Sequence, residues 1–161
     1  MNPAEFADFV AAFLKAPSPY RHLYLWYGEA DTLMAQLPPG KTQSLDLFTL
    51  AATLESRPLA QSEAQEALSD VLRASVRAWA QRDADARPIL VVTGCEVLAR
   101  YRMSLNPFYE ALTGQVMIVL VSSARDAAYR PTESLPNYVI CNPGATFTYL
   151  STLVEDVIGE Y

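Results

Sequence analysis

The sequence predicts an α/β domain around a mostly parallel central sheet of about five strands, and three features carry that expectation. Strand-like and helix-like segments alternate along the chain. The strand-like segments are apolar at consecutive positions, as strands covered on both faces must be; Val116-Met117-Ile118-Val119-Leu120-Val121 is the clearest. The 161 residues are 51% hydrophobic, enough to fill one core, so a single domain over 1–161 is expected.

The first helix is expected over 1–16. Asn2 is a capping residue, Pro3 suits the first helical position, Glu5 completes a capping box, and Phe6, Phe9, Val10, Phe13 and Leu14 form one apolar stripe. Ala16-Pro17-Ser18-Pro19 ends it. The sheet core is expected over 20–141. It opens with the strand His22–Tyr27, followed by a helical stretch from Glu29 to Leu37 and the turn Leu37-Pro38-Pro39-Gly40. A second strand is expected over Ser44–Phe48 and a short helix over Thr49–Leu54. The longest helix is expected over Ser62–Arg82, with Ser62 and Gln65 at capping-box spacing. A strand over Pro88–Thr93 leads to a helical turn at Glu96–Tyr101, and Asn106-Pro107 to a helix ending at Gly114. Val116–Val121 should be the most buried strand, flanked by those at Leu23 and Leu90. A last short strand over Tyr138–Cys141 and a terminal helix over 146–160, apolar at Leu150, Leu153, Val154, Val157 and Ile158, complete the expectation.

A formal charge of −6 repels phosphate backbones, and the chain carries only scattered basic pairs such as Arg100 and Arg102; direct nucleic-acid binding is not expected. Cys95 and Cys141 lack metal or CxxC spacing and read as reduced core thiols. The opening residues lack the lysines of a signal peptide, and no apolar run approaches the roughly 18 residues of a membrane span. A cytoplasmic protein without membrane contact is the expectation.

Two motifs bear on nucleotide chemistry. Ala35-Gln36-Leu37-Pro38-Pro39-Gly40-Lys41-Thr42 fits a relaxed phosphate-loop string, with Gly40, Lys41 and Thr42 as its binding residues. That chemistry needs a strand feeding the loop and a helix beginning at the lysine, whereas here a helical stretch precedes and a strand follows. Two prolines also remove amide donors, so a plain turn is the simpler reading. The second motif is Thr93-Gly94-Cys95-Glu96 after an apolar strand. A threonine supplies no charge to hold magnesium, and a glutamate opening a helix is in general a dipole partner. His22, the one histidine, sits at a strand start beside Arg21, and a surface or edge role is expected. Ser122 and Ser123 lack a nucleophile-elbow setting. Tyr20, Tyr24, Trp26 and Tyr27 suggest base stacking, but with Arg21 the one cation beside them a core and partner surface is the better reading. No catalytic residue, cofactor or metal site is assigned.

The succession Tyr20-Arg21-His22-Leu23-Tyr24-Leu25-Trp26-Tyr27-Gly28, Leu45-Asp46-Leu47 and Ile89-Leu90-Val91-Val92-Thr93-Gly94-Cys95-Glu96-Val97-Leu98 resembles the BrxF family of small P-loop proteins from BREX bacteriophage-defence systems. The likeness spans roughly residues 20 to 123, with Asn106-Pro107-Phe108 at the place of that family's Pro-containing helix start. It implies a three-layer, P-loop-NTPase-like (AAA-like) domain. The departures are specific: no phosphate loop follows Gly28, Thr93 stands where the family has aspartate, and only Glu96 is kept, so Gly28, Thr93 and Glu96 are vestigial positions. Leu23-Tyr24-Leu25-Trp26-Tyr27-Gly28-Glu29 also resembles the start of clamp-loader delta subunits, which points to the same non-hydrolysing class. The resemblance implies a non-catalytic scaffold or partner subunit, bound to a larger protein of a defence or DNA-processing complex. The alternatives are an ATPase using Lys41 and Thr42, or a small-molecule or peptide-binding α/β module.

Overall fold

Asn2 accepts a hydrogen bond from the Glu5 amide and Glu5 returns one from the Asn2 amide, forming the capping box that starts helix α1, Pro3–Lys15. The computed structural model describes residues 1–18, 20–54, 57–123, 129–136 and 144–159. Helix α1 buries Phe6, Val10 and Phe13, the stripe that its sequence spaces at one helical face.

Strand β1, His22–Tyr27, is followed by α2, Ala30–Gln36, a one-turn 3-10 helix, Pro39–Lys41, and β2, Thr42–Asp46. Helices α3, Leu47–Ala52, and α4, Gln61–Ala78, follow, and α4 runs into a π turn over Trp79–Asp83. Strand β3, Ile89–Thr93, then α5, Glu96–Arg100, α6, Asn106–Tyr109, and β4, Met117–Ser122, complete the middle of the chain. Helix α7 is Ala145–Leu150 and β5 is Asp156–Gly159.

The five strands form one all-parallel sheet in the order β2-β3-β4-β1-β5. Strand β4 is buried at every position and lies between β3 and β1, with His22 opposite Met117 and Ile89 opposite the same residue. Alternation divides the core into two layers. Tyr24, Trp26, Val91, Met117, Val119 and Ile158 face α1 and α2. Leu23, Leu25, Leu90, Val92, Ile118 and Leu120 face the layer built from α3 to α7. The chain is therefore a three-layer α/β/α structure.

The main departure from the sequence expectation is at the C-terminal side. The helix expected over 146–160 stops at Leu150, and Asp156–Gly159 extends the sheet core beyond 141 by pairing with β1, Tyr24 opposite Asp156 through Tyr27 opposite Gly159. Val157 and Ile158 satisfy a helical stripe and a two-sided strand equally well. The free edge of β1 decides between them, because its backbone groups need partners and both faces beside it are covered. The expected strand over 138–141 lies outside the described residues.

Several boundaries also move: β2 starts at Thr42 rather than Ser44, α3 is Leu47–Ala52 rather than Thr49–Leu54, and α4 ends at Ala78 rather than Arg82. Strand β2 ends at Asp46 rather than Phe48, because the Asp46 carboxylate accepts the Phe48 amide at 3.0 Å and starts α3 there. Ser62 does not cap α4; Ala60 holds that position without a side-chain bond, and Gln65 donates instead to the Tyr101 carbonyl at 2.7 Å. Helix α6 stops at Tyr109, and the chain continues through turns to Gly114, φ 81°.

Candidate functional site

In an open parallel sheet, ligands bind beyond the carboxyl ends of the strands, where connections from neighbouring strands leave toward opposite faces. Here that point lies between β1 and β4, since β1 continues into α2 on one face and α7, the next described element after β4, packs on the other. Gly28, Asp46, Thr93 and Ser122 all stand at this edge, each at or just past a strand end.

Only Gly28 and Glu29 separate β1 from α2. The Gly28 amide donates to the Ser122 carbonyl at 3.0 Å, so the pairing of β1 with β4 continues one step past the strand and that amide is not available to a ligand. The Trp26 indole N–H donates to the Glu29 carbonyl at 3.2 Å and holds the connection against the sheet. Helix α2 then begins without a side-chain cap, with Glu29 at its cap position and Asp31 in its first turn, both exposed. The two carboxylates occupy the end of the helix where an anion is otherwise favoured.

The exit of β3 is equally closed. Gly94 has φ 71°, and a Cβ added there would stand 2.8 Å from Asp46 Oδ1 and 2.9 Å from the Phe48 amide nitrogen. The Asp46 carboxylate is committed to α3, accepting the Phe48 amide through Oδ1 and the Thr49 hydroxyl through Oδ2 at 3.2 Å. Thr93 is half-buried at the strand end, opposite Asp46 in register. Glu96 is buried at the start of α5. The Cys95 thiol donates to the Val92 carbonyl, and burial, the largest influence, pushes its pKa far above that of a reactive thiol. Among the described residues, no group of three His, Cys, Asp or Glu side chains is placed to hold a metal ion, and no helix is long and apolar enough to cross a membrane.

Gly40, Lys41 and Thr42 lie at the opposite edge. They precede β2, and a strand of five residues spans roughly 16 Å at about 3.3 Å per residue, which separates them from Thr93 and Glu96. The Lys41 amide and the Thr42 hydroxyl both donate to the Pro38 carbonyl, at 3.0 and 2.9 Å. Thr42 is buried at the first position of the strand, and no helix starts at Lys41. The structure thus brings Gly28, Thr93 and Glu96 to one edge and leaves the second motif at the other.

His22 is a correction. It is 1% exposed, at the centre of an aromatic collar formed by Phe9, Phe13, Tyr20 and Tyr24. Its Nε2 lies 3.1 Å from the Ser18 carbonyl and 3.2 Å from the Ser18 hydroxyl, and its Nδ1 lies 2.9 Å from the Tyr24 hydroxyl, so both ring nitrogens have partners. The apolar stripe of α1 contained the signal, since Phe9 and Phe13 must cover the sheet face that His22 shares with Tyr24 and Trp26. No family model, curated protein or solved structure matches this chain.

Proposed function

We propose that the protein is a non-catalytic subunit of AAA-like, P-loop-type architecture, which lends its sheet and helices to a larger protein of a bacterial defence or DNA-processing complex. The two-residue connection Gly28–Glu29 carries this reading. An interior strand of a parallel sheet delivers the chain to the nucleotide position, and there the Gly28 amide is bonded to Ser122 while carboxylates stand at the helix start. A phosphate loop needs several free amides and a lysine at that point, and this connection is too short for either. At the neighbouring strand exit Thr93 ends the strand, and the Asp46 carboxylate opposite it is taken up by the Phe48 amide and the Thr49 hydroxyl.

The test is linkage between ligand and folding. A nucleotide at about one hundred times its dissociation constant would stabilise the folded state by about 2.7 kcal/mol, which for a chain of this length raises the melting temperature by roughly 5 to 10 °C. No rise with magnesium and ATP is expected, and Lys41→Ala should melt as the parent does. An ATP-dependent rise that disappears in Lys41→Ala would overturn the reading in favour of an ATPase. Affinity capture from the native host should recover the chain in stable association with a larger protein.

A further inference from the structure

Among the described residues three large apolar side chains stand exposed, Met1, Tyr20 and Leu153, and all three border the amino-terminal ends of β1 and β5. Tyr20 is 71% exposed and stands at an open recess of about 530 Å³, whose walls include Phe9 and Tyr24. One face therefore carries both an aromatic ring in solvent and a hollow with aromatic walls. Its charges are of both signs. The Met1 ammonium faces Asp156 at 3.6 Å, which leaves Arg21 and Glu155 over. The Arg21 guanidinium lies over the Tyr109 ring, 5.8 Å from its centroid, and the Tyr109 hydroxyl donates to the Leu153 carbonyl at 2.7 Å, so Arg21 and Leu153 flank one ring. Arg21 and Glu155 line the same recess, yet neither has an ion pair among the described residues.

A face with one spare charge of each sign selects neither a basic nor an acidic segment. It does match itself, because in a two-fold interface residue i meets residue j and j meets i. Arg21 of each copy is then set against Glu155 of the other, and both spare charges are satisfied twice. We propose that this face pairs two copies of the chain about a two-fold axis, with each Tyr20 ring seated at the other copy's recess and reciprocal ion pairs between Arg21 and Glu155. The pairing covers Met1, Tyr20 and Leu153, which supply its apolar part. A net charge of −6 on each copy opposes contact over the surface at large, whereas the four charges of the recess sum to zero, so two copies meet there with little repulsion. Such pairing is independent of nucleotide chemistry at the carboxyl ends of the strands.

Sedimentation equilibrium over roughly 1 µM to 1 mM chain, the range in which small interfaces associate, reads the mass directly. The parent should pass from monomer to dimer and no further. Tyr20, Arg21 and Glu155 are exposed, so their variants should fold. Arg21→Glu and Glu155→Arg each bring like charges together at two places and should weaken self-association by about 10-fold or more. Mixed one to one, these two reversed chains should form a heterodimer of parental strength, because each offers the other its opposite charge. Tyr20→Ala should weaken the dimer by about 10-fold with no change of charge. Asp85→Arg, a reversal at an exposed site elsewhere, should leave it unchanged. Growth beyond a dimer, a mixture of the reversed chains that stays monomeric, or equal weakening by Asp85→Arg would overturn the proposal. So would a dimer that all three face variants leave intact. A parent that stays monomeric to the highest concentration would also overturn it and leave the face to a different protein.

Discussion

Replacing Gly94 by alanine tests the closure of the strand ends directly. Its φ of 71° is a conformation that costs an L residue about 1 to 2 kcal/mol. The added Cβ would also stand 2.8 Å from Asp46 Oδ1 and 2.9 Å from the Phe48 nitrogen, and the latter is backbone that cannot rotate away. Overpacking of this kind costs about 1 to 3 kcal/mol, so Gly94→Ala should destabilise by about 2 to 5 kcal/mol and lower the melting temperature by roughly 5 to 15 °C. Two other glycines separate the contributions. Gly144 has φ 81° with nothing within 4 Å of an added Cβ, so Gly144→Ala should show the conformational cost alone. Gly40 has open space and no positive φ, so Gly40→Ala should be neutral or stabilising by up to about 1 kcal/mol. Urea unfolding of the three variants provides the comparison. A Gly94→Ala chain as stable as the parent would refute the packing of β3 against α3, and one equal to Gly144→Ala would show that the Asp46 corner yields without cost.

Asp46→Ala removes the cap of α3 and should cost about 1 kcal/mol, read as a lower urea midpoint with an unchanged slope. Tyr24 carries a pH dependence whose direction follows from its hydroxyl, which burial first and then the charges of Asp156 and Glu155 push up from the ordinary 10.0 to about 12. The unfolded chain loses that proton first as pH rises, so stability present below pH 10 is lost between about pH 10 and 12. Tyr24→Phe should flatten the stability profile across that window, and an unchanged profile would show that Tyr24 does not contribute to it. Tyr109 and Tyr129, also raised by burial, should sustain part of the alkaline slope in that variant.

The legible parts of this fold are those in which local signals and tertiary needs coincide. Strand β1 has the bounds its apolar run implies, and the Asn2–Glu5 capping box forms as spaced. Strand β4, apolar up to Ser122, occupies the middle of the sheet, where both its faces are covered. Misreadings arise where one residue pattern serves two structures. Asp46 ends an alternating strand and also caps a helix, and only the Phe48 amide shows which role begins where. Residues Val154 to Ile158 fit a helical stripe until an unpaired strand edge is available beside them. The polarity of His22 and its neighbour Arg21 suggest exposure, whereas a network of Ser18 and Tyr24 satisfies both ring nitrogens inside the core. At the strand ends, the missing lysine and the threonine at 93 were legible from residue types. The bond from Gly28 to Ser122 and the crowding at Gly94 were not, because both depend on strands distant in sequence.

The position of β1 between β4 and β5 sets a schedule for folding. The chain's first strand finds both neighbours among its later ones, with Tyr24 opposite Val119 on one side and Asp156 on the other. During synthesis, His22-Leu23-Tyr24-Leu25-Trp26-Tyr27 therefore emerges as an apolar strand with two bare edges and remains so until the distant partners follow. Such a segment is suited to binding chaperones and to pairing with other nascent chains. The same arrangement that gives the finished sheet its protected centre leaves β1 of the growing chain without its pairing partners until β4 and β5 are made.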